Sequence, residues 1–123
     1  VLGMQYLKDK ITISGLKADG TTAVSIETAP ERWMYNIMPK LHVIVMSFSI
    51  TSDPLSQLTI PTGLTCEKGA NSWARTVLKT NDGQFLYCVM QLNEANGKLV
   101  IKIDIPTANT YTSFQGRIAT TFY

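Results

Sequence analysis

The chain has 123 residues, of which 45% are hydrophobic and 16% are charged, and its formal net charge is +2. This length is typical of one domain that folds without disulfides or metal ions. The eleven basic and nine acidic residues are interspersed, which argues against the basic stripe of a nucleic-acid-binding surface. No wholly apolar run in the chain is long enough to span a bilayer, so no membrane insertion is expected.

Apolar and polar residues alternate with a period of two along most of the chain, which predicts β-strands rather than helices. Turn residues separate the segments, beginning with a tight turn at Asp19-Gly20 between the first two. The predicted strands, in chain order, are 11–16, 22–28, 33–37, 41–50, 57–60, 64–67, 73–79, 85–92, 98–105 and 114–123. The strands 85–92 and 98–105 are expected to pair as an antiparallel hairpin.

One face of the strand 41–50 is almost continuously apolar and predicts a core face. It carries His42, Ile44, Met46, Phe48 and Ile50. The opposite face begins with a second apolar set, namely Leu41, Val43 and Val45. An apolar strip on the outside of a sheet usually marks an interface, so this strip predicts a contact between subunits.

The strand pattern predicts an all-β fold, an antiparallel β-barrel or jelly-roll-like sandwich of about eight or nine strands. No linker interrupts it, so residues 1–123 are interpreted as a single domain whose first residues are candidates for the end of a neck. Val1 is not an initiator methionine, which is compatible with a fragment or a processed product.

No catalytic motif occurs in the chain: it lacks the nucleophile elbow, the Walker loop, the dinucleotide fingerprint and the zinc-protease signature. His42 is the single histidine, and Cys66 and Cys88 are isolated, so neither a metal nor another cofactor is expected. Cys88 is interpreted as a buried thiol, while a bridge between the two cysteines stays open. The domain is therefore predicted not to be an enzyme.

Trp73 and Arg75 lie two residues apart on a predicted strand and share one face. An indole ring beside a guanidinium suits saccharide recognition, because the ring packs on apolar C–H surface while arginine donates hydrogen bonds to oxygens. A tryptophan buried at a sheet corner beside a snorkelling arginine is the alternative. Asp82 lies in a turn that can also bind hydroxyls, and Arg117 faces outward on the last strand, where a subunit, a ligand or solvent would each explain it.

Four short motifs from residue 41 onward carry a resemblance to a known family. They are Ile60-Pro61-Thr62-Gly63, Asp82-Gly83-Gln84-Phe85, Asn96-Gly97-Lys98-Leu99-Val100-Ile101 and the closing strand from Gly116 to Tyr123. In their order after a long apolar strand, they resemble the C-terminal head domains of bacteriophage tail-fibre and baseplate receptor-binding proteins. The lactococcal-phage type, a β-barrel similar to the adenovirus fibre knob, is the most similar in size.

The resemblance implies a homotrimeric head at the tail tip or baseplate of a virion, attached to other tail or baseplate proteins through an N-terminal part. It also implies binding to a host cell-wall saccharide during adsorption. Family heads use Trp, His, Asp and Arg side chains for this, and the ligand-binding residues expected here are Trp73, Arg75, Asp82, Arg117 and His42. Residues 1–40 are not covered by the resemblance.

Two other functions stay open at this point. A structural capsid or tail protein would hold neighbouring subunits together and bind no receptor. A carbohydrate-active enzyme on a β scaffold would need a pair of carboxylates that strands distant in sequence bring together. The fold by itself does not decide between these functions.

Overall fold

The computed structural model describes residues 4–106 and 110–123, which form ten antiparallel strands in one sheet. Their bounds are β1 (Met4–Leu7), β2 (Ile11–Lys17), β3 (Ala23–Thr28), β4 (Glu31–Met38), β5 (Leu41–Thr51), β6 (Leu55–Thr65), β7 (Asn71–Thr80), β8 (Phe85–Ala95), β9 (Lys98–Asp104) and β10 (Ser113–Phe122). The strand order across the sheet is β1-β4-β5-β10-β7-β8-β9-β6-β2-β3. In these residues, no helix is long and apolar enough to cross a membrane.

The sheet curls into an open barrel, as contacts between strands far apart in this order show: β1 and β4 contact β6, and β3 contacts β5. Within the described residues, the edge strands β1 and β3 are not paired with each other, so packing and not a ladder closes the barrel. Curling encloses one face of every long strand, so alternate residues are buried along each of them. The inward set includes Ile44, Met46, Phe48, Leu58, Leu78, Met90, Leu99, Ile101, Ile103, Phe114, Ile118 and Phe122. The predicted core face of residues 41–50 is confirmed, and so is the all-β class.

The described residues contain ten strands, where about eight or nine were expected, and the bounds of several differ from the predicted segments. β1 was not predicted, and it is the four-residue edge strand beside β4. The segments 57–60 and 64–67 are not separate strands but belong to β6, which ends at Thr65. Pro61 and Gly63 resemble a turn in sequence, but here they make an irregularity within one strand: Gly63 has φ +77° and the pairing with β9 shifts register between Pro61 and Thr65.

β8 and β9 form the predicted hairpin, with Ala95 opposite Lys98. Asn96 and Gly97 connect them, with φ values of +55° and +79°. Two consecutive left-handed residues are what a two-residue hairpin turn requires, and an Asn-Gly pair adopts them at low cost. The residues of the expected neck at 1–3 lie outside the described part of the chain.

Arg32 is completely buried at the start of β4, within a mostly apolar interior. Its Nε donates to the carbonyl of Pro30 at 3.0 Å and its Nη1 to the carbonyl of Thr62 at 2.6 Å. Its Nη2 donates to both the carbonyl and the carboxylate of Asp9, each at 2.8 Å. These four bonds compensate the burial of the charge and join the β1–β2 link to β4 and β6.

Candidate functional site

Large apolar side chains are exposed on the outer side of β7 and β8, which we call the outer aromatic face. Trp73 and Phe85 are each 65% exposed and Tyr87 is 80% exposed. The antiparallel register places Val77 opposite Tyr87 and Lys79 opposite Phe85. Exposed apolar surface of this kind is typical of interaction sites on proteins, which makes this face a candidate site.

The β7–β10 groove runs beside this face. β10 pairs with β7 only from Phe114 to Gly116, so the two strands share no ladder where Arg117 follows. The groove has a volume of about 490 Å³ and is lined by Val77, Lys79, Phe85, Gln115 and Arg117. Its floor is therefore apolar, and its polar groups are an amide and two cations.

A second depression, the β5–β10 cleft, lies on the other side of β10. It has a volume of about 390 Å³ and includes the hydroxyls of Thr28, Ser47 and Ser49, the carboxylate of Glu31, and Gln115 and Arg117. Gln115 and Arg117 line both depressions and therefore form a ridge between them. The outer side of β10 thus separates an aromatic groove from a hydroxyl-rich cleft.

Three cations point outward on this part of the sheet, Arg75 and Lys79 on β7 and Arg117 on β10. Within the described ranges, none of the three forms an ion pair: the basic side chains that lie within 4 Å of a carboxylate are Lys17, Arg32 and His42. Among the same residues, those that line the β7–β10 groove include no carboxylate. The groove therefore presents unpaired positive charge beside aromatic rings.

Of the residues predicted from sequence, Trp73, Arg75 and Arg117 all lie on the outer surface formed by β7 and β10. Asp82 closes the β7–β8 turn, where its carboxylate accepts hydrogen bonds from the hydroxyl of Thr80 at 2.5 Å and the amide of Gln84 at 3.3 Å. These bonds give Asp82 a local role in the turn.

His42 lies inside the barrel and not on the outer surface. Its Nδ1 donates to Oδ1 of Asn36, and its ring centroid is 5.2 Å from that of Phe122. Its Nε2 has no hydrogen-bond partner in the described part of the chain and lies 3.9 Å from a carboxylate oxygen of Glu67. The ring borders a separate cavity of about 390 Å³ at the barrel end, with Gln5, Cys66 and Glu67 on its walls.

Sequence reasoning missed Lys79, Phe85, Tyr87 and Gln115 as site residues. The signal was present in β8, where Phe85, Tyr87 and Val89 alternate with the inward Leu86 and Cys88. A strand that is apolar on both faces must either be covered on both or expose one of them. The outward set of β8 is therefore the feature of the sequence that could have indicated this face.

The two cysteines are free thiols. Burial raises the pKa of each to about 11, so both are protonated near neutral pH. Among residues 4–106 and 110–123, no group of three or more His, Cys, Asp or Glu side chains is arranged to hold a metal ion.

A second apolar outer surface, the β4–β5 face, lies on the other side of β10 from β7. Tyr6 stacks on Trp33 with ring centroids 5.0 Å apart, and Trp33 is therefore on the outside of the barrel. Val43 and Val45 lie opposite Tyr35 and Trp33. The apolar strip predicted on the odd side of residues 41–45 is part of this face.

Comparison with known proteins finds no matching family model and no matching curated protein. Among solved structures, the chain is similar to the reovirus attachment protein sigma1 in complex with alpha-2,3-sialyllactose, at a TM-score of 0.62 and 12% identity. This likeness shows that the two chains share a fold. The similarity covers 98% of this chain but 66% of that one, so this chain spans about two thirds of the length of the sigma1 chain.

A second solved structure with a similar chain is the carboxy-terminal domain of the turkey type 3 siadenovirus fibre, in its avirulent form complexed with 3-sialyllactose. It has a TM-score of 0.47 and 11% identity, over 94% of this chain and 95% of that one. At 12% identity, the similarity to the sigma1 structure extends to the fold alone, and the positions of ligand-binding residues have to be argued from this chain.

Proposed function

We propose that the chain is a viral attachment head that binds a host cell-surface saccharide at the β7–β10 groove. The observation that carries this proposal is the juxtaposition of exposed aromatic side chains with unpaired cations on the outside of β7, β8 and β10. Sugar rings pack their C–H faces on aromatic surface, and their oxygens accept hydrogen bonds from guanidinium groups. The similar sigma1 structure is a complex with sialyllactose, which agrees with a saccharide ligand.

The proposed role is binding without chemistry. Among the described residues, the groove lining contains no carboxylate, histidine or cysteine that could act as acid, base or nucleophile. Incubation with host cell wall is expected to release no reducing sugar, while saccharide stays bound. Steady release by the purified domain would contradict this part of the proposal.

We infer further that the virus is a bacteriophage and that the head lies at its tail tip or baseplate. This finer assignment is supported by the four C-terminal motifs that resemble phage receptor-binding proteins. The purified domain is then expected to compete with phage particles for adsorption to bacterial cells. If the domain binds to bacterial cells but does not compete with phage particles for adsorption, the assignment to a phage tail tip or baseplate is contradicted.

A homotrimer is proposed from the β4–β5 face, whose exposed side chains include Met4, Tyr35, Ile37 and Met38. An apolar patch of this kind is buried when subunits close a ring. Three linked sites would also strengthen weak saccharide binding through avidity.

Size-exclusion chromatography with light scattering tests the trimer. Val45→Arg should give monomers, because it places a charge in the β4–β5 face. Val100→Arg, on the outer side of β9, is the matched control and should leave the assembly unchanged. A wild-type monomer at micromolar concentration would count against the trimer.

Saccharide binding itself can be followed by tryptophan fluorescence. The chain has two tryptophans, and Trp33 is stacked on Tyr6 away from the groove. A Trp33→Phe variant therefore leaves Trp73 as the reporter; it does not line the groove but lies on the same outer side of β7, four residues from the groove residue Val77. Host polysaccharide should change its emission with saturation, and the change should disappear in Arg117→Ala at unchanged thermal stability.

A structural role in the particle is a second candidate, favoured by the same β4–β5 face. It predicts particles that fail to assemble when the domain is deleted. An attachment head predicts particles that assemble but do not adsorb, and electron microscopy with an adsorption assay separates these outcomes.

A further inference from the structure

We propose that the ligand of the β7–β10 groove is an acidic oligosaccharide whose carboxylate or phosphate binds at Arg117 and Lys79. The inference rests on the proposed function and adds the charge and the minimum length of the ligand. Three features of this surface support it, namely its unpaired cations, its aromatic floor and its division by a ridge.

The cations on this surface are Arg75, Lys79 and Arg117. Arginine and lysine side chains on protein surfaces commonly lie near carboxylates, but these three have no ion-pair partner in the described part of the chain. Among residues 4–106 and 110–123, Glu31 is the single carboxylate that lines either depression, and it belongs to the β5–β10 cleft. A neutral sugar would leave this positive potential unused, whereas an anionic group would be steered to it and would form charge-assisted hydrogen bonds.

The position of the acidic group follows from the register. Gln115 lies opposite Lys79 across the β10–β7 ladder, and Arg117 is the next outward residue on β10. Lys79 also lies opposite Phe85 on β8. An anion between Lys79 and Arg117 therefore places the attached sugar ring over Phe85 and Val77, where its apolar face is covered.

The two depressions on either side of the ridge of Gln115 and Arg117 give room for a ligand of more than one sugar ring. The β7–β10 groove and the β5–β10 cleft have volumes of about 490 Å³ and 390 Å³, and Gln115 and Arg117 line both of them. Each depression is within the range of about 300 to 1,000 Å³ that is usual for ligand pockets. A chain of two or more sugar rings can therefore lie across the ridge, with its acidic ring in the groove and a neutral ring at Ser47 and Ser49.

The test is binding of matched glycans to the full chain by isothermal titration calorimetry. The carboxylate arm compares alpha-2,3-sialyllactose with lactose and oligogalacturonate with its methyl ester. The phosphate arm compares a phosphorylated oligosaccharide before and after phosphatase treatment. We expect the acidic member of at least one pair to bind roughly tenfold or more tightly than its neutral partner.

Amino-acid substitutions identify the residues that cause the preference for acidic over neutral glycans. Arg117→Gln and Lys79→Gln should each reduce affinity for the acidic glycan roughly tenfold and affect the neutral partner little. The matched control is Lys10→Gln, which removes the same charge from an exposed position on the β1–β2 link and should change neither. Ser47→Val should weaken the acidic oligosaccharide but not the acidic monosaccharide, since it removes a hydroxyl from the far side of the ridge.

Each result has a defined consequence. Equal binding of acidic and neutral partners would overturn this inference and leave the proposed function standing. Binding of no glycan in either arm would overturn both. Equally tight binding of polyglutamate, an anion without sugar rings, would reduce the groove to a nonspecific charge site and also overturn the inference.

Discussion

The completely buried guanidinium of Arg32 donates two hydrogen bonds to Asp9, one to its backbone carbonyl and one to its carboxylate, both at 2.8 Å. The carboxylate partner is 73% exposed. The pair therefore connects the barrel interior to its surface at the β1–β2 link. Since β1 has only four residues, this link depends on contacts beyond its own ladder.

Arg32→Met is expected to destabilise the fold by about 3 to 5 kcal/mol, because it removes the donors to three segments and leaves buried carbonyls without partners. Urea denaturation measures the loss. Asp9→Asn is the control and should cost much less, since the backbone carbonyl of residue 9 still accepts from Arg32. Equal losses in the two variants would contradict the assignment of the main contribution to the interior bonds.

The lack of a side chain at Gly116 allows the ring of Phe48 to pack directly against the backbone of β10. A Cβ added there would overlap the ring of Phe48 and lie 3.0 Å from a methyl group of Leu78. Gly116→Ala is therefore expected to destabilise the domain by about 1 to 3 kcal/mol through overpacking. The double variant with Phe48→Leu should recover part of this loss in thermal denaturation, and a purely additive result would disprove the proposed overlap.

Asp19 makes stability sensitive to acid. Its carboxylate accepts hydrogen bonds from the hydroxyl of Thr22 and from the backbone amides of Thr22 and Thr21, and these hold its pKa well below the ordinary value of 3.8. The stabilisation is complete above pH 3.8 and is lost as pH falls toward the lower folded pKa. The free energy of unfolding should therefore decrease below about pH 4, and less steeply in Asp19→Asn. Identical pH profiles would contradict this.

Cys66 and Cys88 should react slowly in the folded protein. Because burial raises the pKa of each thiol to about 11, the reactive thiolate is scarce near neutral pH. Labelling with a thiol reagent should be slow in the native protein and fast in urea. The same shift predicts a loss of stability as pH rises above the ordinary thiol pKa of 9.0, since the unfolded chain then releases protons first.

The exposed aromatic residues should matter for binding and not for folding. Phe85→Ala and Tyr87→Ala remove side chains that are mostly in solvent, so their melting temperatures should stay close to wild type. Saccharide affinity should fall for Phe85→Ala in particular, because this ring lines the groove. Val100→Ala on β9 is a suitable control. Unchanged saccharide affinity in Phe85→Ala would contradict the proposal that this aromatic ring contacts the saccharide.

Part of the candidate site could be predicted from the sequence. The alternation of β7 places Trp73 and Arg75 on one face, and the structure shows that face exposed. It could not be predicted that Arg117 would line a groove with Phe85, because this requires β10 to lie between β5 and β7. His42 illustrates the opposite case: its parity with Ile44 and Met46 indicates the interior, where it contacts Asn36 and Phe122.

The sequence by itself determined which face of each long strand is buried and where the Asn96-Gly97 hairpin turns, because a period of two and a left-handed turn are local properties. Only the tertiary structure decided that Pro61 and Gly63 lie within one strand and that Arg32 meets Asp9 across the curled sheet. It also decided which outer residues share a groove. These are contacts between distant segments, and their pairing follows from the packing of the whole barrel.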